Sequence, residues 1–172
     1  RHPALGLGNP QTWADLGCGG GCFTEALAAL LPAHSHIYAV DRQPTLALDL
    51  GAARSITVQR IHADFVREQL PIRKLDGILM ANSLHYGRDQ AAFLTDVQHY
   101  LNTAHRFLIV EYERDQANPW VPYPLSFRKL RRLFEQTGDY RVQKLQERSS
   151  RRGFDAMYAA LIQDNDAEND ET

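Results

Sequence analysis

The segment "DLGCGGG", residues 15–21, places a carboxylate directly before a run of closely spaced glycines. Glycine has no Cβ, so a glycine-rich turn lets the backbone approach a ligand closely. Residues 12–16 read as a strand, and "CFTEALAALL", residues 22–31, has the apolar spacing of a helix. A strand, a glycine-rich turn and a helix in this order predict a ligand-binding turn.

Two common ligands of such turns fit the pattern poorly. Gly17, Gly19 and Gly21 give G-x-G-x-G, whereas the dinucleotide fingerprint is G-x-G-x-x-G. A P-loop needs a lysine at the end of its glycine turn, and the first lysine of this chain is Lys74. The simplest triphosphate-binding interpretation is therefore excluded.

Three carboxylates are predicted to share one edge of the sheet. Asp15 and Asp41 end the first two predicted strands, and Asp64 ends the third. A carboxylate at the position of Asp41 can accept hydrogen bonds from both hydroxyls of a ribose, and one at Asp64 can accept from an adenine amino group. Three carboxylates repel a pyrophosphate, so they favour a nucleoside that carries positive charge.

The order of the predicted elements indicates the fold. Further strands are expected at 36–41, 56–64, 75–84 and 106–113, and helices at 44–53, at 89–101 and after Ser126, which can serve as N-cap. Two late strands, 140–147 and 156–162, have no helix-length segment between them, so they should pair antiparallel. We predict a doubly wound α/β fold: a mostly parallel seven-stranded sheet with a C-terminal antiparallel hairpin and helices on both faces.

Composition limits the classes of protein that the chain can represent. Its 172 residues suffice for one domain, and neither a membrane-spanning apolar run nor a signal peptide is visible. The two cysteines, Cys18 and Cys22, lie beside the glycines. We interpret them as small residues that pack the turn of a protein in a reducing compartment, and we expect no metal site. These features favour a cytoplasmic protein without membrane contact.

Charge is distributed unevenly along the chain. Residues 128–152 hold nine Lys or Arg against three Asp or Glu, which is typical of either a solvated face or an RNA-binding surface. Residues 164–172 are acidic and polar, and they predict a disordered tail.

The motif "DLGCGGG" and the acids that follow it resemble the S-adenosylmethionine-dependent methyltransferases of the Rossmann-like class, small-molecule type. The resemblance extends from about residue 12 to residue 162 and includes the closing hairpin. It implies one methyltransferase domain over residues 1–163, with S-adenosyl-L-methionine as cofactor.

The resemblance also implies roles for individual residues. Asp15, Gly17, Gly19 and Gly21 would surround the methionine part of the cofactor, and Asp41 would hold the ribose. Asp64 and Phe65 would bind the adenine, with Arg42 stacking on it in place of the usual apolar residue. The segment "MANSLHY", residues 80–86, resembles the fourth-strand segment that faces both cofactor and substrate, and it places Asn82 beside the cofactor.

Catalytic and substrate residues are expected after the fourth and fifth strands. Methyl transfer needs a general base only when the nucleophile carries a proton of high pKa, and His85 is the candidate for that base. Side chains expected to contact the substrate are His85, Tyr86, Glu111, Tyr112 and Trp120, with Tyr123 as a further aromatic candidate.

Several functions stay open at this point. The main hypothesis is methyl transfer to a small molecule. Alternatives are an RNA methyltransferase, a non-catalytic cofactor-binding partner subunit and a nicotinamide-dependent oxidoreductase. About a dozen residues precede the first strand, so no lid over the substrate is evident. The chain also lacks an initiator Met. Truncation, a covering subunit in an oligomer, or a substrate large enough to cover the site would each account for the missing lid.

Overall fold

The computed structural model describes residues 8–43, 55–148 and 156–164. Within these ranges, no helix is both long and apolar enough to cross a membrane. The predicted helix at 44–53 and the predicted tail, except for Asp164, lie outside the described residues.

One seven-stranded sheet organises the described part of the chain, in the order β3-β2-β1-β4-β5-β7-β6. Strands β1 to β5 pair in parallel, and β7 lies antiparallel to both β5 and β6. Their bounds are β1 Thr12–Leu16, β2 His36–Asp41, β3 Thr57–His62, β4 Leu75–Ala81, β5 Leu101–Tyr112, β6 Tyr140–Arg148 and β7 Met157–Asp164. The predicted parallel sheet and its closing hairpin are confirmed.

Within the described residues, three α-helices cover the two faces of this sheet. Helix α1, Cys22–Leu30, packs Leu27 against the cluster that contains Trp13, on one face. Helices α2, Gln90–Val97, and α3, Phe127–Thr137, pack Leu94 and Phe134 into the larger cluster on the other face. Each helix buries part of its apolar face, as amphipathic segments do, while Phe23, Leu30 and Leu133 stay half-buried.

The end of α2 differs from the prediction, which extended one helix over residues 89–101. The α-helix ends at Val97, a single 3₁₀ turn follows at Gln98–Tyr100, and Leu101 already belongs to β5. Leu101 pairs with Leu75, and a register shift separates this pair from the regular ladder that begins at Gly77 and Arg106. Apolar spacing alone could not separate these segments, because Leu101 is apolar in either arrangement.

Helix α3 begins as predicted, but its cap hydrogen bond is different. Ser126 occupies the N-cap position without making a side-chain cap hydrogen bond. Its hydroxyl donates to Asp115 Oδ1 at 2.9 Å, and Glu113 Oε1 accepts the hydrogen bond from the Phe127 N–H at 3.1 Å. Ser126 is therefore the N-cap residue, as predicted, but the side-chain hydrogen bond to the start of α3 comes from Glu113, which follows β5.

The strand order places a crevice between β1 and β4. From β1 the chain proceeds to β2 and β3 on one side, whereas β4 and β5 lie on the other. In open α/β sheets, ligands bind at the carboxyl ends of the strands where the strand order reverses in this way. This crevice is therefore the place to look for a site.

Candidate functional site

The turn after β1 passes close to the end of β4. Gly17 has a φ of 89°, and a Cβ added to it would lie 2.5 Å from the Ser83 Cβ. The Ser83 hydroxyl in turn donates to the Leu16 carbonyl. Only glycine fits this close approach, which joins the ends of the two central strands.

Asp41 stabilises the same turn from the end of β2. Its Oδ2 accepts a hydrogen bond from the Gly19 N–H at 3.0 Å, and its Oδ1 accepts one from the Gln43 N–H at 2.8 Å. A carboxylate oxygen can accept more than one hydrogen bond, so both oxygens keep capacity for a ligand.

Asp64 and Phe65 follow β3 at the outer side of the crevice. Asp64 Oδ1 accepts from the Val66 N–H at 3.1 Å, and its Oδ2 lies 4.0 Å from Arg42 and 3.9 Å from Arg67. The half-buried Phe65 ring packs edge-on against Phe93, with centroids 5.9 Å apart. One face of the crevice is thus aromatic and its rim is charged.

Asn82 follows β4 in an unusual backbone conformation, with a φ of 54°. Its N–H donates to the Val110 carbonyl at 2.8 Å. Its side-chain Oδ1 is buried and has no hydrogen-bond partner among the described residues. Positive φ is uncommon for residues other than glycine, and an unpaired buried acceptor is costly, so both features indicate a functional position.

These elements surround one cavity of about 480 Å³. Loops that follow β1, β2, β3 and β4 form it, together with Tyr123. The lining residues are Gly17, Asp41, Arg42, Asp64, Phe65, Val66, Arg67, Asn82, Ser83, Tyr86, Arg88 and Tyr123.

Asp15 lies behind the glycine turn and is fully buried. The Thr24 hydroxyl donates to its Oδ2 at 2.6 Å, whereas its Oδ1 has no partner among the described residues. Burial raises the pKa of Asp15 to about 6; the Thr24 hydrogen bond opposes this rise, and the charge of Asp41 adds to it. The fold therefore holds a carboxylate that lacks one hydrogen-bond donor.

His85 and Glu111 form a second buried polar group. His85 Nδ1 lies 2.7 Å from Glu111 Oε2, and the His85 N–H donates to Glu111 Oε1 at 3.2 Å. The side chains are 2% and 1% exposed. An ionised Glu111 can only accept in this contact, and Nδ1 is then the donor; Nε2 has no partner within the described ranges.

Some of the predicted site residues line the cavity and others do not. Gly17, Asp41, Arg42, Asp64, Phe65, Asn82 and Tyr86 line the cavity, as does Tyr123, whereas Asp15, Gly19, Gly21, His85, Glu111, Tyr112 and Trp120 do not. Ser83, a further lining residue, lies in the segment 80–86 that was expected to face cofactor and substrate, whereas three lining residues had no sequence prediction: Val66, Arg67 and Arg88. Each lies within a few positions of a predicted site residue, which was the only signal available for them.

Among known families, a model described as a methyltransferase domain matches residues 14–104 of this chain, slightly more than half of it. The chain belongs to this methyltransferase family. The match begins at β1 and includes the glycine turn, β2, β3, β4 and α2.

Several solved structures share the fold. The methyltransferase is similar to a SAM-dependent methyltransferase from Aquifex aeolicus, with 19% identity, a TM-score of 0.61 and coverage of 91% of this chain and 84% of that one. It is also similar to the 1,6-didemethyltoxoflavin-N1-methyltransferase of Burkholderia thailandensis, with 18% identity and a TM-score of 0.65. The match covers 92% of this chain and 73% of that one.

A third similar structure is the N-methyltransferase NodS of Bradyrhizobium japonicum, solved with S-adenosyl-L-homocysteine. It shares 14% identity with the methyltransferase, with a TM-score of 0.67 and coverage of 92% of this chain and 80% of that one. A search among curated proteins gives no match. At these identities the structural similarities establish the fold.

Proposed function

We propose that this methyltransferase binds S-adenosylmethionine in the cavity at the carboxyl end of the sheet and methylates a small-molecule acceptor. One observation carries the proposal: the Gly17 turn, the Asp41 carboxylate and the Asp64–Phe65 pair line a single cavity of about 480 Å³. This volume lies within the ~300–1,000 Å³ typical of ligand pockets.

The residues around the cavity fit the nucleoside part of this cofactor. Asp41 would accept hydrogen bonds from the two ribose hydroxyls, since its oxygens keep free lone pairs beside their backbone donors. Phe65 would pack against the adenine, and Asp64 would accept from the adenine amino group. The exposed Arg42 guanidinium would stack on the outer side of the base.

The amino-acid part of the cofactor carries an ammonium group that needs hydrogen-bond acceptors. Asn82 Oδ1 and Asp15 Oδ1 are buried acceptors without partners among the described residues. Asn82 lines the cavity, so direct contact is proposed for it. Asp15 does not line the cavity, so we propose that its negative charge attracts the ammonium from behind the turn.

S-adenosylmethionine supplies both the electrophilic methyl group and its leaving group when bound. What the protein adds is alignment of the acceptor, which can lower a barrier by about 7–11 kcal/mol. Tyr86 and Tyr123, at the mouth of the cavity, would position the acceptor.

His85 is the proposed base for acceptors whose nucleophile carries a proton. Because Glu111 accepts the Nδ1 proton, a neutral His85 keeps its lone pair on Nε2. The Tyr86 ring lies 4.4 Å from the imidazole, and Nε2 is buried. An acceptor would therefore reach Nε2 only after a movement of neighbouring side chains.

A small-molecule acceptor is favoured over RNA by the charge pairing of the basic segment. Arg128 and Lys129 lie 3.6 and 3.2 Å from Asp115, and Arg131 lies 3.2 Å from Glu135. These acids reduce the positive charge that a phosphate backbone would encounter. A cytoplasmic location and an oligomer in which another subunit covers the cavity stay predictions.

Calorimetric titration with S-adenosylhomocysteine and with NAD tests the cofactor. We expect S-adenosylhomocysteine to bind and NAD not to bind. Asp41→Ala should weaken S-adenosylhomocysteine binding more than Asp64→Ala, because two charge-assisted hydrogen bonds are lost instead of one. Glu135→Gln, an exposed carboxylate on α3, is the charge-matched control. Equal losses at Asp41 and Asp64 would contradict these roles, and no binding at millimolar ligand would refute the cofactor. Transfer of a labelled methyl group into metabolite and RNA pools then tests the acceptor class.

A further inference from the structure

Arg88 is a cavity-lining cation without a carboxylate partner. Of the three arginines that line the cavity, Arg42 and Arg67 both lie close to Asp64. The exposed Arg88 guanidinium makes no ion pair or hydrogen bond within residues 8–43, 55–148 and 156–164. The next residue in the chain, Asp89, uses its carboxylate to cap α2, where Oδ1 accepts from the Ala92 N–H at 3.0 Å. Arg88 is thus available to an anion.

Two tyrosines line the same cavity as Arg88 and expose much of their aromatic surface. Tyr86 is 52% and Tyr123 39% exposed. Exposed aromatic surface at a cavity mouth is typical of ligand-binding sites, because a planar ligand can cover it.

Backbone hydrogen bonds hold these tyrosines in place before any ligand binds. The Tyr123 N–H donates to the His85 carbonyl at 3.1 Å, and the Tyr123 carbonyl accepts from Gln90 Nε2 at 2.9 Å. Tyr86 belongs to the 3₁₀ turn Leu84–Tyr86, and its N–H donates to the Ser83 carbonyl at 3.2 Å. The segment around Tyr123 is therefore attached to the end of β4, which limits the entropy that substrate binding would cost.

We propose that Arg88, Tyr86 and Tyr123 select an acceptor that joins a planar aromatic body to a carboxylate or phosphate group. Arg88 binds the anionic group with two parallel N–H donors, and the tyrosine rings pack against the planar body. This proposal rests on the proposed function, because it assigns the acceptor side of the same cavity.

One other source could supply the anion, namely the carboxylate of the cofactor's own amino-acid part. The tyrosines beside Arg88 favour the acceptor, since a short aliphatic amino acid would leave both rings uncovered. The two sources are separable, because 5′-methylthioadenosine has the nucleoside and thioether of the cofactor but lacks its amino-acid part.

The experiment compares binding of matched aromatic pairs to the protein saturated with S-adenosylhomocysteine. The pairs are benzoate and benzamide, nicotinate and nicotinamide, and phenyl phosphate and phenol. The anionic member of a pair should bind about tenfold more tightly than its neutral partner. Arg88→Gln should abolish this difference, and Arg132→Gln, an exposed arginine on α3, should preserve it. Tyr123→Leu should weaken both members of a pair equally. Thermal melts confirm that each variant is folded.

Three other outcomes would contradict either the acceptor proposal or the proposed function. If S-adenosylhomocysteine binds but no aromatic anion binds better than its neutral partner at up to 10 mM, the acceptor proposal is overturned and the cofactor assignment stands. If Arg88→Gln weakens S-adenosylhomocysteine but not 5′-methylthioadenosine, Arg88 holds the cofactor carboxylate and the proposal is also overturned. If S-adenosylhomocysteine itself does not bind, the proposed function fails first.

Discussion

Asp15→Asn tests whether the fold keeps a destabilising carboxylate for ligand binding. Burial raises the pKa of Asp15 from 3.8 to about 6. A group whose pKa is raised by folding stabilises the protein in its protonated form, so this contribution is present below pH 3.8 and is lost as pH rises through 6. One pKa unit corresponds to about 1.4 kcal/mol, so the free energy of unfolding should change by about 3 kcal/mol over the whole titration of Asp15. Roughly 2 kcal/mol of it falls between about pH 4.5 and pH 7.5.

The assay is urea unfolding of the wild type and of Asp15→Asn across this pH range. Asparagine still accepts the Thr24 hydrogen bond but does not titrate. The free energy of unfolding of the variant, relative to wild type, should therefore increase by about 2 kcal/mol from pH 4.5 to pH 7.5. Taking the difference removes the titration of groups that do not interact with Asp15.

Thr24→Val provides a second check of the same cause. The Thr24 hydrogen bond lowers the pKa of Asp15. Its removal should therefore raise the pH at which the stabilising contribution of protonated Asp15 is lost. A difference between wild type and Asp15→Asn that does not change with pH would refute the reasoning.

Ligand affinity should change in the opposite direction to stability. The ionised carboxylate attracts an ammonium group, so wild-type affinity for S-adenosylhomocysteine should fall as pH drops below about 6. Asp15→Asn should bind this ligand roughly tenfold more weakly at pH 7.5, from about 1.5 kcal/mol for two charges that attract each other through the protein without direct contact. Equal affinity in both proteins at pH 7.5 would show that Asp15 does not contribute to the cofactor site.

Three further predictions follow from the glycine turn and from the basic face of α3. Gly19→Val should abolish S-adenosylhomocysteine binding in a folded protein, because Gly19 has a φ of 48°, which valine rarely adopts, and its N–H donates to the Asp41 carboxylate at 3.0 Å; retained affinity would show that the turn tolerates a side chain. Gly17→Ala should lower the melting temperature, because its Cβ would lie 2.5 Å from the Ser83 Cβ; an unchanged melting temperature would show that the turn adapts. Changing the exposed Arg128, Arg131 and Arg132 together to Glu should leave cofactor binding and turnover within a few-fold of wild type. A collapse of turnover, together with a steep salt dependence of the wild-type enzyme, would favour RNA as the methyl acceptor.

Much of the fold was predictable because its strands are short, apolar and separated by clear breaks. All seven predicted strands occur, and α1 ends at Leu30, just before the predicted break at Pro32. The entry into β5 was not predictable, since the register shift between Leu75 and Gly77 depends on pairing across the sheet. Local sequence patterns carry no information about that pairing.

The cavity was predictable where strands end and less so between them. Asp41 and Asp64 could be assigned to one rim because parallel strands end at a common edge. Ser83 could not be predicted to contact Gly17, because that contact joins residues far apart in sequence. Arg67 and Arg88 lie in connecting segments, where the direction of a long side chain depends on its neighbours rather than on periodicity.

The His85–Glu111 pair illustrates the limit of reasoning from strand ends. His85 follows β4, and Glu111 lies near the end of the neighbouring parallel strand β5, so the two residues lie close together. Their depth depends on the 3₁₀ turn after β4, which buries His85 and exposes Tyr86. A buried pair of this kind is costly to desolvate, so its contribution to stability is small. Its geometric effect is larger, because His85 contacts the Tyr86 ring and accepts the Tyr123 N–H through its carbonyl. The pair therefore holds both tyrosines at the cavity mouth, whether or not His85 also accepts a proton.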